Sequence, residues 1–232
     1  MNRKHSNHLQ TVRERMDEAC RRSGRAPESV RLLAVSKTHP ASAVSQLHAL
    51  GQRAFGESYV DEAVTKITEL ANPDIEWHFI GPIQSNKTRT IAEHFDWVQG
   101  VDRAKIVRRL ADQRPDGRPP LNVLIQVNLD DEPQKAGCQP DRIAELADMI
   151  AGCDTLRLRG LMAIPAPRDA FDAQRAVFAR LRELYENLRK DHPGIDTLSA
   201  GMSADLEAAI AEGSTMVRVG TALFGARNAA GT

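Results

Sequence analysis

The sequence predicts an α/β fold: a single (β/α)8 barrel over residues 1–232, with an extra helix ahead of the first strand. Three observations carry that prediction. Short apolar runs of strand character occur eight times, segments with helical spacing lie between them, and none of the runs leads into the G-x-G-x-x-G turn of an open dinucleotide-binding sheet. Eight strands alternating with helices most naturally close into a barrel.

The elements follow in order. Leu9, Val12, Met16 and Ala19 share one helical stripe before the first strand. The strand runs are "LLAVS" (32–36), "RAFGE" (53–57), "EWHFIG" (76–81) and "DWVQGV" (96–101), then "NVLIQVN" (122–128), "LRLRGLMAI" (156–164), "DTLSAG" (196–201) and "MVRVGTALFG" (216–225). Ile143, Leu146, Ala147 and Ile150 fit the spacing i, i+3, i+4, i+7, with Pro140 suited to the first turn of that helix. Val177, Leu181, Leu184 and Leu188 form a stripe within 169–190. The Pro-rich "RPDGRPP" segment (114–120) reads as a surface connection, because the alternation resumes directly after it.

Composition narrows the function. At 41% hydrophobic and 27% charged, the 232 residues resemble those of an ordinary water-soluble protein. Lys+Arg and Asp+Glu number 31 each, so no net field draws the chain to nucleic acid or to an anionic membrane. Cys20, Cys138 and Cys153 are scattered with no C-x-x-C pair, which indicates neither a zinc site nor a redox motif and suits a reducing compartment. "MNRKHSNHLQ" is basic, but no apolar stretch follows it, and no run is long enough to span a bilayer. The cytoplasm is the expected location.

In a barrel of this kind the working face lies at the C-terminal ends of the strands. Lys37 stands there, just after the first strand. A lysine partly desolvated at a barrel mouth is more readily a neutral amine, and a neutral amine forms a Schiff base with an aldehyde. "SAGMSADLEAA" (199–209) places Ser203 where a strand gives way to a helix, fit for an N-cap or for a phosphate. In "VRVGTALFG" (217–225), Arg218 faces the opposite side of the sheet from Val217 and Val219. Gly220 then permits close backbone approach, and Thr221 offers an N–H and a hydroxyl. These segments follow strands 7 and 8, where barrel phosphate sites often form. An aldehyde-reactive lysine across from a phosphate cradle suggests pyridoxal 5′-phosphate (PLP). Ser58, His78, Asn86 and Met202 are further candidates for cofactor contact. His78 also reads as a satisfied core histidine, Glu57 as a helix N-terminal charge, and Lys135 in "DDEPQKAGC" (130–138) as solvated. No metal-ligand spacing and no Ser-His-Asp arrangement is evident.

The motifs "LLAVSKT", "FGESYV", "WHFIGPIQSNKT", "LRLRGLMAIP", "GMSADLEAAI" and "GSTMVRVGTALFGAR" resemble those of the pyridoxal phosphate homeostasis protein family, small barrels related to the N-terminal domain of alanine racemase. The resemblance runs from about residue 9 to about residue 227. It implies a barrel of the alanine racemase N-terminal type, monomeric or weakly dimeric, with PLP on Lys37. It further implies phosphate contacts from Ser203, Gly220 and Thr221, and Arg218 at the pyridine nitrogen. The chain departs from the family pattern at Ser58, where asparagine is common; at His39, where a second lysine is common; and at Ala200, where methionine is common. The last exchange is expected to loosen packing beside the cofactor ring.

Two function classes compete. A racemase-like enzyme needs the pyridine ring as an electron sink, and an arginine partner leaves the ring nitrogen unprotonated and the sink weak. Once eight units are counted, too few residues remain for a closing domain, so the mouth should be open to water. The expectation is therefore a carrier that buffers PLP or delivers it to PLP-dependent apo-enzymes without turnover.

Overall fold

The computed structural model describes residues 3–130 and 136–225, and in them all eight strands close into one parallel barrel in sequence order. The strands are β1 (Arg31–Val35), β2 (Ala54–Glu57), β3 (Glu76–Phe79), β4 (Trp97–Val101), β5 (Leu121–Gln126), β6 (Leu156–Met162), β7 (Thr197–Ser199) and β8 (Met216–Val219). Closure is made by β8 against β1, in register from Arg31 opposite Met216 to Ala34 opposite Val219. Each strand falls within or next to one of the eight apolar runs, and the barrel fold is as expected.

The helices are α1 (Arg3–Arg22), α2 (Ala41–Ala49), α3 (Val60–Leu70), α4 (Thr88–His94), α5 (Ala104–Gln113), α6 (Ile143–Ala151), α7 (Phe171–Asp191), α8 (Leu206–Ala211) and α9 (Thr221–Phe224). The last is a single turn. The extra helix α1 takes up the room that a full helix after β8 would fill, packing against α8, α9 and α2. Its stripe of Leu9, Val12, Met16 and Ala19 is buried there, and an Arg15–Glu207 ion pair ties it to α8. Pro140 stands in a separate single turn, Pro140–Arg142, just ahead of α6. Ile143, Leu146, Ala147 and Ile150 are all buried on α6. On α7 the buried stripe runs through Val177, Leu181 and Leu188 and takes in Phe178 and Tyr185, leaving Leu184 at its margin.

The segment 114–120 is anchored more firmly than a surface connection needs. Arg114 is buried, and its guanidinium donates to the carbonyls of Ala92, Phe95 and Pro119. It thereby satisfies acceptors at the end of α4 that no backbone N–H reaches. Burial pushes Arg114 down to about 10, still cationic at neutral pH.

Alternation along each strand splits the side chains into two sets. Phe55, Trp77, Phe79, Val98, Leu198 and Val217 belong to the continuous layer between barrel and helices. Leu33, Ala54 and Met216 form one small inward cluster, and Trp97, Leu124 and Met162 another. The inward set also contains Glu76, His78, Gln99, Ser199 and Arg218, an unusually polar filling for a barrel of this type. Among the described residues no helix is long and apolar enough to cross a membrane.

β5 and β6 slip in register between Val123 and Leu124, where Gly160 takes φ 138°. A Cβ on Gly160 would lie 2.0 Å from the Thr197 carbonyl oxygen. Gly160→Ala therefore combines a collision with backbone that cannot retreat and a disfavoured φ. The expected loss is at least about 3 kcal/mol in urea denaturation; a loss under about 1 kcal/mol would show that the register shift relaxes freely.

Candidate functional site at the barrel mouth

Three residues, Ser36 to Thr38, leave the end of β1, and the structure clamps them from below. Lys66, buried on α3, donates from Nζ to the Ser36 carbonyl at 2.8 Å, to Glu57 Oε1 at 2.8 Å and to Glu62 Oε1 at 2.6 Å. All three ammonium donors are used. Glu57, wholly buried at the end of β2, also accepts from Ser36 Oγ at 2.6 Å. Glu62 Oε1 accepts from the Thr38 backbone N–H at 2.6 Å. Thr38 is held at φ 66°, a left-handed conformation rare for a β-branched residue and worth about 1 to 3 kcal/mol of strain. The backbone on both sides of Lys37 is thus fixed, while the Lys37 side chain stays half-exposed at the mouth. Burial pushes the Glu57 carboxyl up, opposed by Lys66 and Ser36.

Arg218 points inward from β8 and is only 3% exposed. Its Nη1 donates to Ser199 Oγ at 2.7 Å and its Nη2 to the Ala163 carbonyl at 2.8 Å. Burial pushes it down to about 10, which leaves it a cation at neutral pH.

The segment after β7 lies against β8. The Arg218 N–H donates to the Gly201 carbonyl at 2.9 Å, and the Met202 N–H to Asp205 Oδ1 at 2.6 Å, shaping the turn that carries half-exposed Ser203. Gly201 takes φ 94°, and a Cβ there would lie 2.6 Å from Ala209 Cβ, so only glycine lets this turn sit against α8. Gly220 caps α9, with Thr221 exposed at its first position; a Cβ on Gly220 would lie 3.2 Å from the Val35 carbonyl.

The other candidates are dispersed. Ser58 lines a depression of about 350 Å³ with Tyr59, Pro82, Gln84 and Lys87. Asn86 is exposed on the turn Ser85–Lys87. His78 is sealed inside the barrel, both ring nitrogens within hydrogen-bond reach of Gln99 and Glu76. Met202 is 37% exposed and, with Tyr59 at 54% and Ile164 at 42%, leaves large apolar side chains uncovered after β7, β2 and β6. His39 stacks on Phe224 with ring centroids 4.7 Å apart. Ala200 is buried in the layer between barrel and helices, because it alternates with inward-facing Ser199, so its small size does not bear on packing inside the barrel. Glu57 is a clamp residue rather than a helix-terminal charge. Lys135 lies outside the described residues. Among those described, no cluster of His, Cys, Asp and Glu is fit for a metal.

Sequence reasoning missed Lys66, Glu62, Gln99 and Ser199. Two signals were available. Lys66 sits three residues after Ala63 on the buried face of α3 and four after Glu62. Gln99 and Ser199 alternate with Val98 and Leu198, which marks them as inward polar residues.

Comparison with known proteins agrees with this architecture. The family model for the alanine racemase N-terminal domain matches residues 8–228. The pyridoxal phosphate homeostasis protein of Pseudomonas aeruginosa is 59% identical over 217 residues, 94% of this chain and 93% of that protein. Its namesake in Escherichia coli K12 is 54% identical over 226 residues, 96% and 97% of the two chains. The solved structure of PipY from Synechococcus elongatus with PLP bound superposes with a TM-score of 0.80 at 40% identity, over 92% of this chain and all of that one.

The clamp is testable without any ligand. Lys66→Met leaves Glu57 and Glu62 uncompensated and should cost about 3 to 5 kcal/mol in chemical denaturation. Adding Glu57→Gln should recover part of that loss, since it removes the wholly buried charge; an unchanged stability in the single variant would overturn the clamp.

Proposed function

This chain belongs to the pyridoxal phosphate homeostasis protein family, built on the alanine racemase N-terminal domain, and we propose that it binds pyridoxal 5′-phosphate as a Schiff base on Lys37 and buffers or delivers the cofactor in the cytoplasm without catalytic turnover. The observation that carries this reading is that Lys37 stands half-exposed at the mouth on a clamped backbone while the inner wall of the same barrel carries the buried Arg218 cation.

The residues fit the group. A partly desolvated Lys37 amine can add to the cofactor aldehyde with loss of one water, and water entering the mouth reverses the step. Ser203, Gly220 and Thr221 belong to the two segments proposed to take the phosphate, and Gly220 lets the second of them start hard against Val35 at the end of β1. Arg218 offers N–H donors to a ring nitrogen and holds its own proton, so it does not acidify the ring. That favours holding the cofactor over carbanion chemistry. The exposed Tyr59, Ile164 and Met202 support an accessible mouth and give apo-enzymes a surface to meet. Ser58, Asn86 and Met202 remain secondary candidates for cofactor contact; His78, sealed in the barrel with both ring nitrogens engaged, would bear on the cofactor through Gln99, Ser199 and Arg218 rather than touch it. The protomer is proposed to act as a single barrel, as a monomer or weak dimer.

Purified protein mixed with PLP should show a visible absorbance band that borohydride fixes onto Lys37, located by peptide digestion. Saturating cofactor, at about 100 times Kd, should stabilise the fold by about 2.7 kcal/mol. Lys37→Ala should abolish the band and most of that stabilisation. Persistence of the band in Lys37→Ala would refute the anchor, and sustained Lys37-dependent conversion of L-alanine to D-alanine would refute the carrier reading in favour of a racemase.

A further inference from the structure

A line of hydrogen bonds, buried along the barrel interior and reaching solvent at its far end, runs from Arg218 to the face where the strands begin. Arg218 Nη1 meets Ser199 Oγ at 2.7 Å, and Ser199 Oγ meets Gln99 Oε1 at 2.7 Å. Gln99 Nε2 meets His78 Nδ1 at 3.0 Å, and His78 Nε2 meets Glu76 Oε1 at 2.8 Å. Arg31 donates to that same carboxylate oxygen at 2.5 Å. Five strands contribute: β8, β7, β4, β3 and β1.

The direction of each bond follows from the two ends. A guanidinium can only donate, so Ser199 Oγ accepts from Arg218 and gives its own hydrogen to Gln99 Oε1. The Gln99 amide then turns its N–H toward His78, so Nδ1 must be the bare acceptor. The ring proton is left on Nε2, aimed at a carboxylate. Partial burial alone would raise Glu76, but His78 and Arg31 outweigh it and hold it at about 2, ionised at neutral pH. The competing arrangement turns Gln99 over and protonates His78 on both nitrogens. It buries a further cation and leaves the Ser199 hydroxyl hydrogen without an acceptor in the line, an expensive combination in a dry interior.

We propose that Ser199, Gln99 and His78 are positioning residues for Arg218, holding one arrangement of protons in which every bond points away from the guanidinium and His78 is the neutral Nε2–H tautomer. With two of its donors occupied by Ser199 and the Ala163 carbonyl, Arg218 has a fixed plane, and no neighbour on this line can pass it or its ligand a proton. The consequence for PLP rests on the function proposed above; the proton arrangement does not. Burial pushes His78 down, with Glu76 and Asp96 opposing and Arg31 reinforcing. On its stacked side stands uncharged Trp97, centroids 5.1 Å apart, with the Arg159 guanidinium carbon 4.5 Å from the indole centroid.

The experiment is a long-range proton–nitrogen correlation spectrum of the histidine rings in isotope-labelled, cofactor-free protein, followed across the range where imidazoles ordinarily titrate, about pH 5.5 to about 8.5. His78 should remain the neutral Nε2–H tautomer throughout. Gln99→Glu, nearly isosteric, replaces the amide donor with a carboxylate that accepts from both sides, and His78 should then carry both protons in the same range. Titration of wild-type His78 within it, a proton on Nδ1 alone, or an unaltered tautomer in Gln99→Glu overturns the proposal. Ser199→Ala removes the Arg218 acceptor and should weaken PLP binding about tenfold while the Lys37-dependent absorbance band persists. Unchanged affinity in a folded Ser199→Ala variant overturns the positioning role. Wild-type protein that binds no PLP overturns the proposed function instead, and the ring spectra still decide the proton arrangement.

Discussion

A guanidinium sealed within a barrel has to be answered by acceptors, and much of the interior is arranged to answer Arg218. A (β/α)8 interior is ordinarily filled by branched apolar side chains. Here one inward position on each of β3, β4, β7 and β8 goes to a polar group, and a second β3 position goes to Glu76. Apolar residues of similar volume would often be neutral or stabilising at such places. The polar line is therefore poor evidence for stability. It is better evidence for a requirement on the orientation of Arg218, since each member satisfies the next and a break would orphan its neighbours.

The two cations near the mouth are handled in opposite ways. Arg218 is immobilised at its head group, with the backbone of β8 supplying an ordinary ladder. Lys37 is immobilised at its backbone by Lys66, Glu57 and Glu62, and its head group is left free. A group that recognises a fixed atom gains from a fixed plane, and a group that must form and release a covalent bond gains from freedom at its tip. The strain stored at Thr38 is borne by an ion cluster in which all three Lys66 donors are used, which holds the backbone at Lys37 in place.

The barrel was legible because its signal is repeated eight times, and a missed boundary in one strand does not change the count. Arg218 could be read as inward from its alternation with Val217 and Val219, and Lys37 as a mouth residue from its place after an apolar run. The spacing of Lys66 from Ala63 and Glu62 marks it as a buried-face residue of α3, but only the fold shows that this face turns toward the end of β1 and so joins the site. Ser199 and Gln99 carry inward parity, but parity does not say which inward residues meet across the barrel, and a pairing between β4 and β7 is set by closure alone. Ala200 was misplaced by the same parity, since its neighbour Ser199 faces in and it must face out.

If Lys37 anchors the cofactor as proposed, a racemase-type barrel still need not racemise. Carbanion formation draws on a ring that can take up charge, a second proton donor opposite the lysine, and a site closed to water. In the proposed reading Arg218 denies the first, because the hydrogen bonds beyond it run outward from a permanent donor toward an ionised Glu76 and offer no proton in return. His78, a natural candidate for the second, is enclosed within the barrel and committed at both nitrogens. The third is opposed by the uncovered Tyr59, Ile164 and Met202 at the mouth. In that proposed reading each of these features would leave reversible attachment at Lys37 intact, and reversible attachment is what storage and release require.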